Sequence, residues 1–198
     1  MNPQPIILQG QNVRLEPLRS DHAAALSEAV QDGELWRLWY TAIPTPAAMA
    51  SEVQRRLDLQ ASGSMLPFAV IHLADERMAG MTTYMHIDSA NRRLEIGSTW
   101  YRKSLQRTAL NTECKRMLLG NAFEQLDCIA VEFRTHWHNT ASRRGIERLG
   151  AKLDGVLRSH QMAANGSLRD TCVYSIVASE WPAVRAHLDH ALSASRTP

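Results

Sequence analysis

Leu94-Glu95-Ile96-Gly97-Ser98-Thr99-Trp100-Tyr101 runs through Arg102-Lys103-Ser104-Leu105-Gln106-Arg107-Thr108-Ala109 into Leu110-Asn111-Thr112-Glu113-Cys114. The first of these pieces reads as a strand, extended backwards to Arg92, and Gly97 inside it marks a bulge or a close backbone approach. From Leu110 the apolar positions Leu110, Cys114, Met117, Leu118 and Ala122 recur at helical spacing, which predicts a helix to about Leu126. The piece between them is a polar turn. A strand, a turn and a helix in that order leave main-chain amides unpaired at the helix start. Those amides and the positive end of the helix dipole suit a phosphate, and Arg102, Lys103 and Arg107 flank the turn.

Outward from this segment the chain alternates in type. Towards the N-terminus, residues 12–18 alternate as a strand, and Ser20 stands before a helix over about 21–31 closed by Gly33. Thr45-Pro46 opens a second helix, which carries Met49, Val53 and Leu57 on one face and ends at Gly63. Leu66–Leu73 and Met78–Ile87 read as strands joined at Ala74-Asp75-Glu76. Towards the C-terminus, Cys128–Thr135 is a strand and Asn139–Leu149 a short helix stopped by Gly150. Lys152–Ser159 and Asp170–Val177 form a hairpin across Asn165-Gly166, and Ser179 caps a last helix with Pro182 in its first turn. Seven strands in this order predict an α+β fold, with a mixed, mostly antiparallel sheet flanked by helices, in one domain over residues 1–198.

The bulk composition narrows function by exclusion. A net charge of +2, from 22 basic and 20 acidic side chains, does not advertise a nucleic-acid partner. No stretch approaches the roughly 20 apolar residues that span a bilayer, so no membrane association is expected. Cys114, Cys128 and Cys172 lie far apart in apolar surroundings without a C-x-x-C pair. They read as reduced thiols, and with no charged leader at the N-terminus they predict a cytoplasmic protein. His136-Trp137-His138 places two imidazoles at i and i+2, but no further ligand follows at metal-site spacing, so no metal is expected.

A second strand-to-helix junction, Asn139-Thr140-Ala141-Ser142 ahead of Leu149-Gly150-Ala151, completes a recognisable set. With Glu95-Ile96-Gly97, Gln106-Arg107-Thr108-x-x-Asn111-Thr112-Glu113, the N-terminal Val13-Arg14-Leu15-Glu16-Pro17-Leu18 and the C-terminal Gly155-Val156-Leu157-Arg158 and Asp170-Thr171-x-x-Tyr174-Ser175, it resembles the GNAT superfamily of N-acetyltransferases. The likeness is to the RimJ/RimL-like branch and covers essentially the whole chain. It implies a GNAT fold of three α/β/α layers, acetyl-CoA as cosubstrate and a primary amine as acceptor, either a protein N-terminus or a small molecule. A homodimer is also implied. The other function in view is a non-catalytic acyl-CoA-binding or regulatory module of the same fold.

The resemblance also implies roles. Pantetheine would lie where the 92–101 and 128–135 strands diverge and would add itself as a strand. Cofactor contacts are expected from Trp100, Tyr101, Arg102, Arg107, Thr108, Ala109, Leu110 and Asn111, largely through main-chain amides, with Asn139 and Arg143 opposite. The family pattern has glycine where this chain has Ala109, a change that preserves close approach where φ is negative. Glu95 is the candidate general base, or else a partner for a neighbouring strand. Ser142 is the candidate acid, or hydrogen-bond donor to the leaving thiolate, or else a helix-start residue bonding local amides. Trp36, Tyr40, Tyr84 and His136 are expected at the acceptor amine, with Trp39 in the same aromatic cluster; core packing is the alternative for that cluster, and a partly exposed strand end for His136.

Overall fold

The expected elements form in the computed structural model, which describes residues 1–194. Strand β1 (Leu8–Gln9) and strand β2 (Val13–Pro17) lead to helices α1 (Ala23–Gln31) and α2 (Met49–Ala61). Strands β3 (Met65–His72), β4 (Arg77–Asp88) and β5 (Arg93–Tyr101) form a meander. Helix α3 (Leu110–Gly120), strand β6 (Ala130–His136), helix α4 (Thr140–Arg148), strands β7 (Lys152–Met162) and β8 (Leu168–Val177) and helix α5 (Trp181–Ala194) complete the chain. The sheet order is β1-β2-β3-β4-β5-β6-β8-β7. Every neighbouring pair is antiparallel except β5 and β6, which α3 joins as a crossover. The sheet therefore has eight strands rather than seven. The extra one, two residues paired with Arg14 and Leu15, is too short to show any alternation in sequence.

Apolar side chains divide between the two faces. On one face, α3 and α5 cover Leu15, Phe68, Tyr84, Leu94 and Ile96. On the other, α1 and α2 bury Leu26, Val30 and Val53 against Ala69, Met81 and Trp100. That second pair packs over β3 and β4 and reaches Trp100 at the end of β5. Gly80 allows the central strands to meet. Its φ is +155°, and a Cβ there would lie 2.0 Å from the Trp100 carbonyl oxygen.

Local capping differs from the expectation at two helix starts. The Arg19 amide is bonded by Nδ1 of His22 at 3.3 Å, so Ser20–His22 forms a 3-10 turn before α1 and Ser20 caps nothing. Before α5, Glu180 rather than Ser179 accepts the Val177 amide, at 3.2 Å. In both cases a longer side chain reaches back three residues to the exposed amide. Thr45 does cap as expected, its hydroxyl accepting the Ala48 amide at 3.3 Å. Helix α3 passes into a π turn over Asn121–Gln125, where the Tyr84 hydroxyl donates to the Leu118 carbonyl at 2.5 Å.

Candidate active site

Strands β5 and β6 pair from Arg93↔Ala130 to Glu95↔Glu132 and no further, although β5 runs on to Tyr101 and β6 to His136. The other edge of β6 stays paired with β8 as far as Thr171. Beyond Glu95, then, two facing strand edges diverge and stop bonding to each other, the opening an extended peptide-like chain can fill. The bulge that bends β5 away lies at Ser98–Thr99, because β4 steps from Thr83 to Met81 while β5 steps from Gly97 to Trp100. Ser98 adopts φ +47°. Gly97 sits just before the bulge and has another use. A Cβ there would lie 2.6 Å from Oε1 of Glu95 and 2.8 Å from Sδ of Met85, so the glycine makes room for the carboxylate.

Two buried cations brace this bulge from opposite layers. Arg56 of α2 donates through Nη1 to the Thr83 hydroxyl at 2.8 Å and to the Ser98 carbonyl at 3.3 Å, while its Nε binds Glu52 at 2.7 Å. Lys115 of α3 donates through Nζ to the hydroxyls of Thr82 and Thr99, at 3.1 and 2.9 Å. Burial pushes the Lys115 ammonium down to about 8. Sequence reading missed both residues. Their only signal is a cation beside an apolar helical stripe, and its partners lie on strands far away in the chain.

The turn before α3 is tied down at its start. Lys103 donates its amide to the Asp32 carbonyl at 3.2 Å, and Ser104 donates its amide to Oδ2 of Asp32 at 3.1 Å. The Leu105 and Gln106 amides bond the carbonyls of Arg102 and Lys103. The next three amides, of Arg107, Thr108 and Ala109, find no protein acceptor among the described residues, and they precede an eleven-residue helix. Arg107 and Thr108 are exposed. Arg107 has φ +65°, so the left-handed residue of the loop is Arg107. Ala109 has φ −65°, and its backbone conformation is therefore open to alanine. These free amides, a helix N-terminus and the Arg107 guanidinium fit the diphosphate of CoA. Asn111 stands half-buried on the first turn of α3, and Leu110 turns into the core.

Three of the expected cofactor side chains are engaged elsewhere. Arg102 is buried and pairs with Asp75 at 3.1 Å, pinning the β3–β4 turn. Trp100 packs under α1 and α2, and Tyr101 under α3. These three side chains are turned into packing or an ion pair, which leaves their main chain as the part that could meet a cofactor, as expected for most of this set. Tyr84, expected at the acceptor, is also a core residue, fully buried with its ring against Phe68. Trp36 packs against the α1–α2 core. In each case an aromatic ring on a half-buried strand or turn finds more contact inside than at the cleft.

Glu95 is 4% exposed. Its Oε2 lies 2.8 Å from Nδ1 of His86 and 3.6 Å from Nε of Arg134. Burial raises its pKa, while His86 and Arg134 oppose the rise. Across the opening, Asn139 caps α4 by accepting the Ser142 amide on Oδ1 at 3.0 Å. The cap is thus Asn139, and the half-buried Ser142 hydroxyl is not consumed by local amides. Arg143 donates to the Tyr174 hydroxyl at 3.1 Å and stacks on Trp137, with its guanidinium carbon 4.2 Å from the ring centre.

The sheet face that carries Glu95 continues to His136, where it meets an aromatic and imidazole wall. Trp39 is 52% exposed and sits edge-on to His136 at 5.1 Å, with Tyr40 edge-on to Trp39 at 5.7 Å. With His138, Asn165, Ser167 and Leu168, Trp39 and His136 line a groove of about 460 Å³. Of the side chains expected at the acceptor, His136 lines this groove, Tyr40 stands against Trp39 without lining it, and Trp36 and Tyr84 do not line it. No group of three metal-ligating side chains occurs among the described residues.

Known proteins share this fold. Residues 12–152 match the acetyltransferase (GNAT) domain. A GCN5-related N-acetyltransferase from Brucella melitensis superposes with a TM-score of 0.86 at 31% identity, over 97% of this chain and 87% of that one. RimJ of Mycobacterium smegmatis, solved with a CoA disulfide, gives a TM-score of 0.75 at 25% identity over 90% and 88%. YdaF of Bacillus subtilis, whose name places it with the ribosomal N-acetyltransferases, is 32% identical over 109 residues. That match spans 55% of this chain and 58% of YdaF, little more than half of either. The chain belongs to the GNAT acetyltransferase family.

Proposed function

We propose that the protein moves acetyl from acetyl-CoA to a primary amine, a protein N-terminal α-amine or a small molecule, by direct attack in a ternary complex. One observation carries this reading. The diverging edges of β5 and β6 have Glu95 at their vertex, with the three free amides of residues 107–109 at the β5–α3 junction and Ser142 on the helix that follows β6.

The amides of Arg107, Thr108 and Ala109 hold the diphosphate, and the open edge of β5 aligns the pantetheine. Glu95 takes a proton from the acceptor ammonium, directly or through water, which frees the nitrogen lone pair. As the new C–N bond forms, a free main-chain amide at the β5 bulge hydrogen-bonds the developing oxyanion. The C–S bond then breaks, the Ser142 hydroxyl hydrogen-bonds the departing thiolate, and the second proton of the attacking nitrogen passes through solvent to the sulfur, leaving the amide and the CoA thiol. Arg56 and Lys115 keep the bulge in place for this geometry. We read the chain as one domain over 1–198 acting in the cytoplasm, where its three buried unpaired thiols stay reduced, and as a homodimer.

Thiol release from acetyl-CoA across a panel of amines and N-terminal peptides tests the reading. Amine-dependent release is expected, with a Ser142→Ala variant losing about tenfold in kcat at saturating acetyl-CoA. Tight acetyl-CoA binding without release to any amine would leave a binding module instead. Lack of CoA binding by folded protein would remove both readings.

A further inference from the structure

The face of the sheet that carries Glu95 continues across β6 and β8. Glu132 lies opposite Glu95, and Thr171 lies opposite His136. Alternate residues share a face, so Glu95, Glu132, Arg134, His136, Thr171 and Arg169 project the same way. Most charges on this face are matched. Glu95 has His86 and Arg134, and Glu132 accepts from Arg93 at 2.6 Å and Arg134 at 3.0 Å. Asp170, on the other face, binds Arg158 at 2.8 Å and the Ser159 amide at 2.7 Å.

Arg169 is the exception. It is half-buried, and its Nε donates to the Thr171 hydroxyl at 3.2 Å. No carboxylate of the described residues comes within ion-pair distance of it, although its neighbours on this face are paired. Beside it stands a second unmet donor. The His138 amide donates to Nδ1 of His136 at 3.0 Å, which fixes the proton of the neutral ring on Nε2. That Nε2 is buried without a partner, under the edge of Trp39. Through Thr171, which lies opposite His136, the Arg169 guanidinium stands next to the residue that lines the groove, and a guanidinium fork beside a buried N–H asks for an acceptor of two lone-pair oxygens.

We propose that Arg169 and His136 form a subsite for a carboxylate carried by the acceptor amine, with Trp39 covering its aliphatic part. The inference rests on the acetyltransferase reading and specifies its acceptor. A polyamine fits poorly, because its second ammonium would face Arg169 and find the carboxylates of this face already paired. The carboxylate belongs either to a free amino acid or to an acidic residue next to a peptide N-terminus, and both present the same group.

Matched pairs test it: free amino acids against their C-terminal amides, peptides starting with Asp or Glu against Asn or Gln, and spermidine. The carboxylate member of at least one pair is expected to show kcat/KM about tenfold or more above its amide, with spermidine low. Which pair discriminates names the source. Arg169→Gln should bring that ratio to within about twofold and Arg169→Lys should keep part of it. Arg185→Gln, on the far surface of α5 against Glu124, should keep all of it. Equal use of carboxylates and amides by the wild type, or a ratio that survives Arg169→Gln, overturns the subsite. Calorimetry of the same pairs against CoA-loaded protein reads the subsite without turnover. Equal affinities there overturn it whether or not transfer occurs, whereas selective binding without transfer to any amine counts against the acetyltransferase reading alone.

Discussion

Glu95 is buried against the sheet, its carboxylate in the room that Gly97 leaves, and balanced by an imidazole and a guanidinium. Because burial raises its pKa, the base form is lost on acidification at a higher pH than for an exposed glutamate, and kcat/KM should climb as pH rises through that value. Glu95→Gln should abolish this acidic limb and lower kcat by about 10²–10⁴. A pH–rate profile with the limb unchanged would show that another group titrates. The position and identity of Glu95 were legible in the strand motif. Its partners His86 and Arg134 were not, since their approach depends on strand register and on the His86 backbone at φ +48°. Ser142 was legible as well, whereas the Asn139 cap that leaves its hydroxyl free shows only in the local geometry of the α4 start.

At the scale of elements, the β5–α3 junction works through its backbone. Ala109→Pro tests that directly. The observed φ of −65° is the angle proline requires, and the substitution deletes one amide donor. It should keep the fold and weaken acetyl-CoA binding by about tenfold, read by calorimetry. Unchanged affinity would mean that the Ala109 amide does not face the diphosphate. The strand-turn-helix order was plain in the sequence. The use of Arg102 was not: its charge suggested a phosphate clamp, but Asp75 on the neighbouring turn, held to about 2 by His72 and Arg102, takes the guanidinium. The 152–177 hairpin is longer than expected because its turn closes at Ala163 and Ser167, and the ladder extends to meet it. A break after Leu157 had hidden that continuation.

For the molecule as a whole, Lys115 places an ammonium between sheet and helix with only two hydroxyls for company. In the unfolded chain a lysine holds its proton to about 10.4, while here burial lowers it to about 8. Between those values the unfolded state binds more protons, so folding stability from this group rises with pH, by up to roughly 3 kcal/mol. Urea unfolding of wild type and Lys115→Met between pH 7 and 10.5 should show the wild type gaining on the variant over that range. Parallel curves would mean that the ammonium is solvated or paired. No helix of the described residues is long and apolar enough to cross a membrane, so α3, despite its apolar face, is a packing element.

The sequence alone determined the order of elements, the α+β class, the strand-turn-helix junction before α3 and the placement of Glu95 on a strand and Ser142 at a helix start. Those depend on local period, turn chemistry and short-range spacing, which a chain carries in its own order. Tertiary structure alone decided which face each side chain serves. It sent Tyr84, Trp100 and Tyr101 into the core, brought Trp39 to His136, set Arg56 and Lys115 against the bulge and left Arg169 unpaired. Pairings between distant strands, and the one-residue slip at a bulge that exchanges inside for outside, exist only after the sheet has assembled.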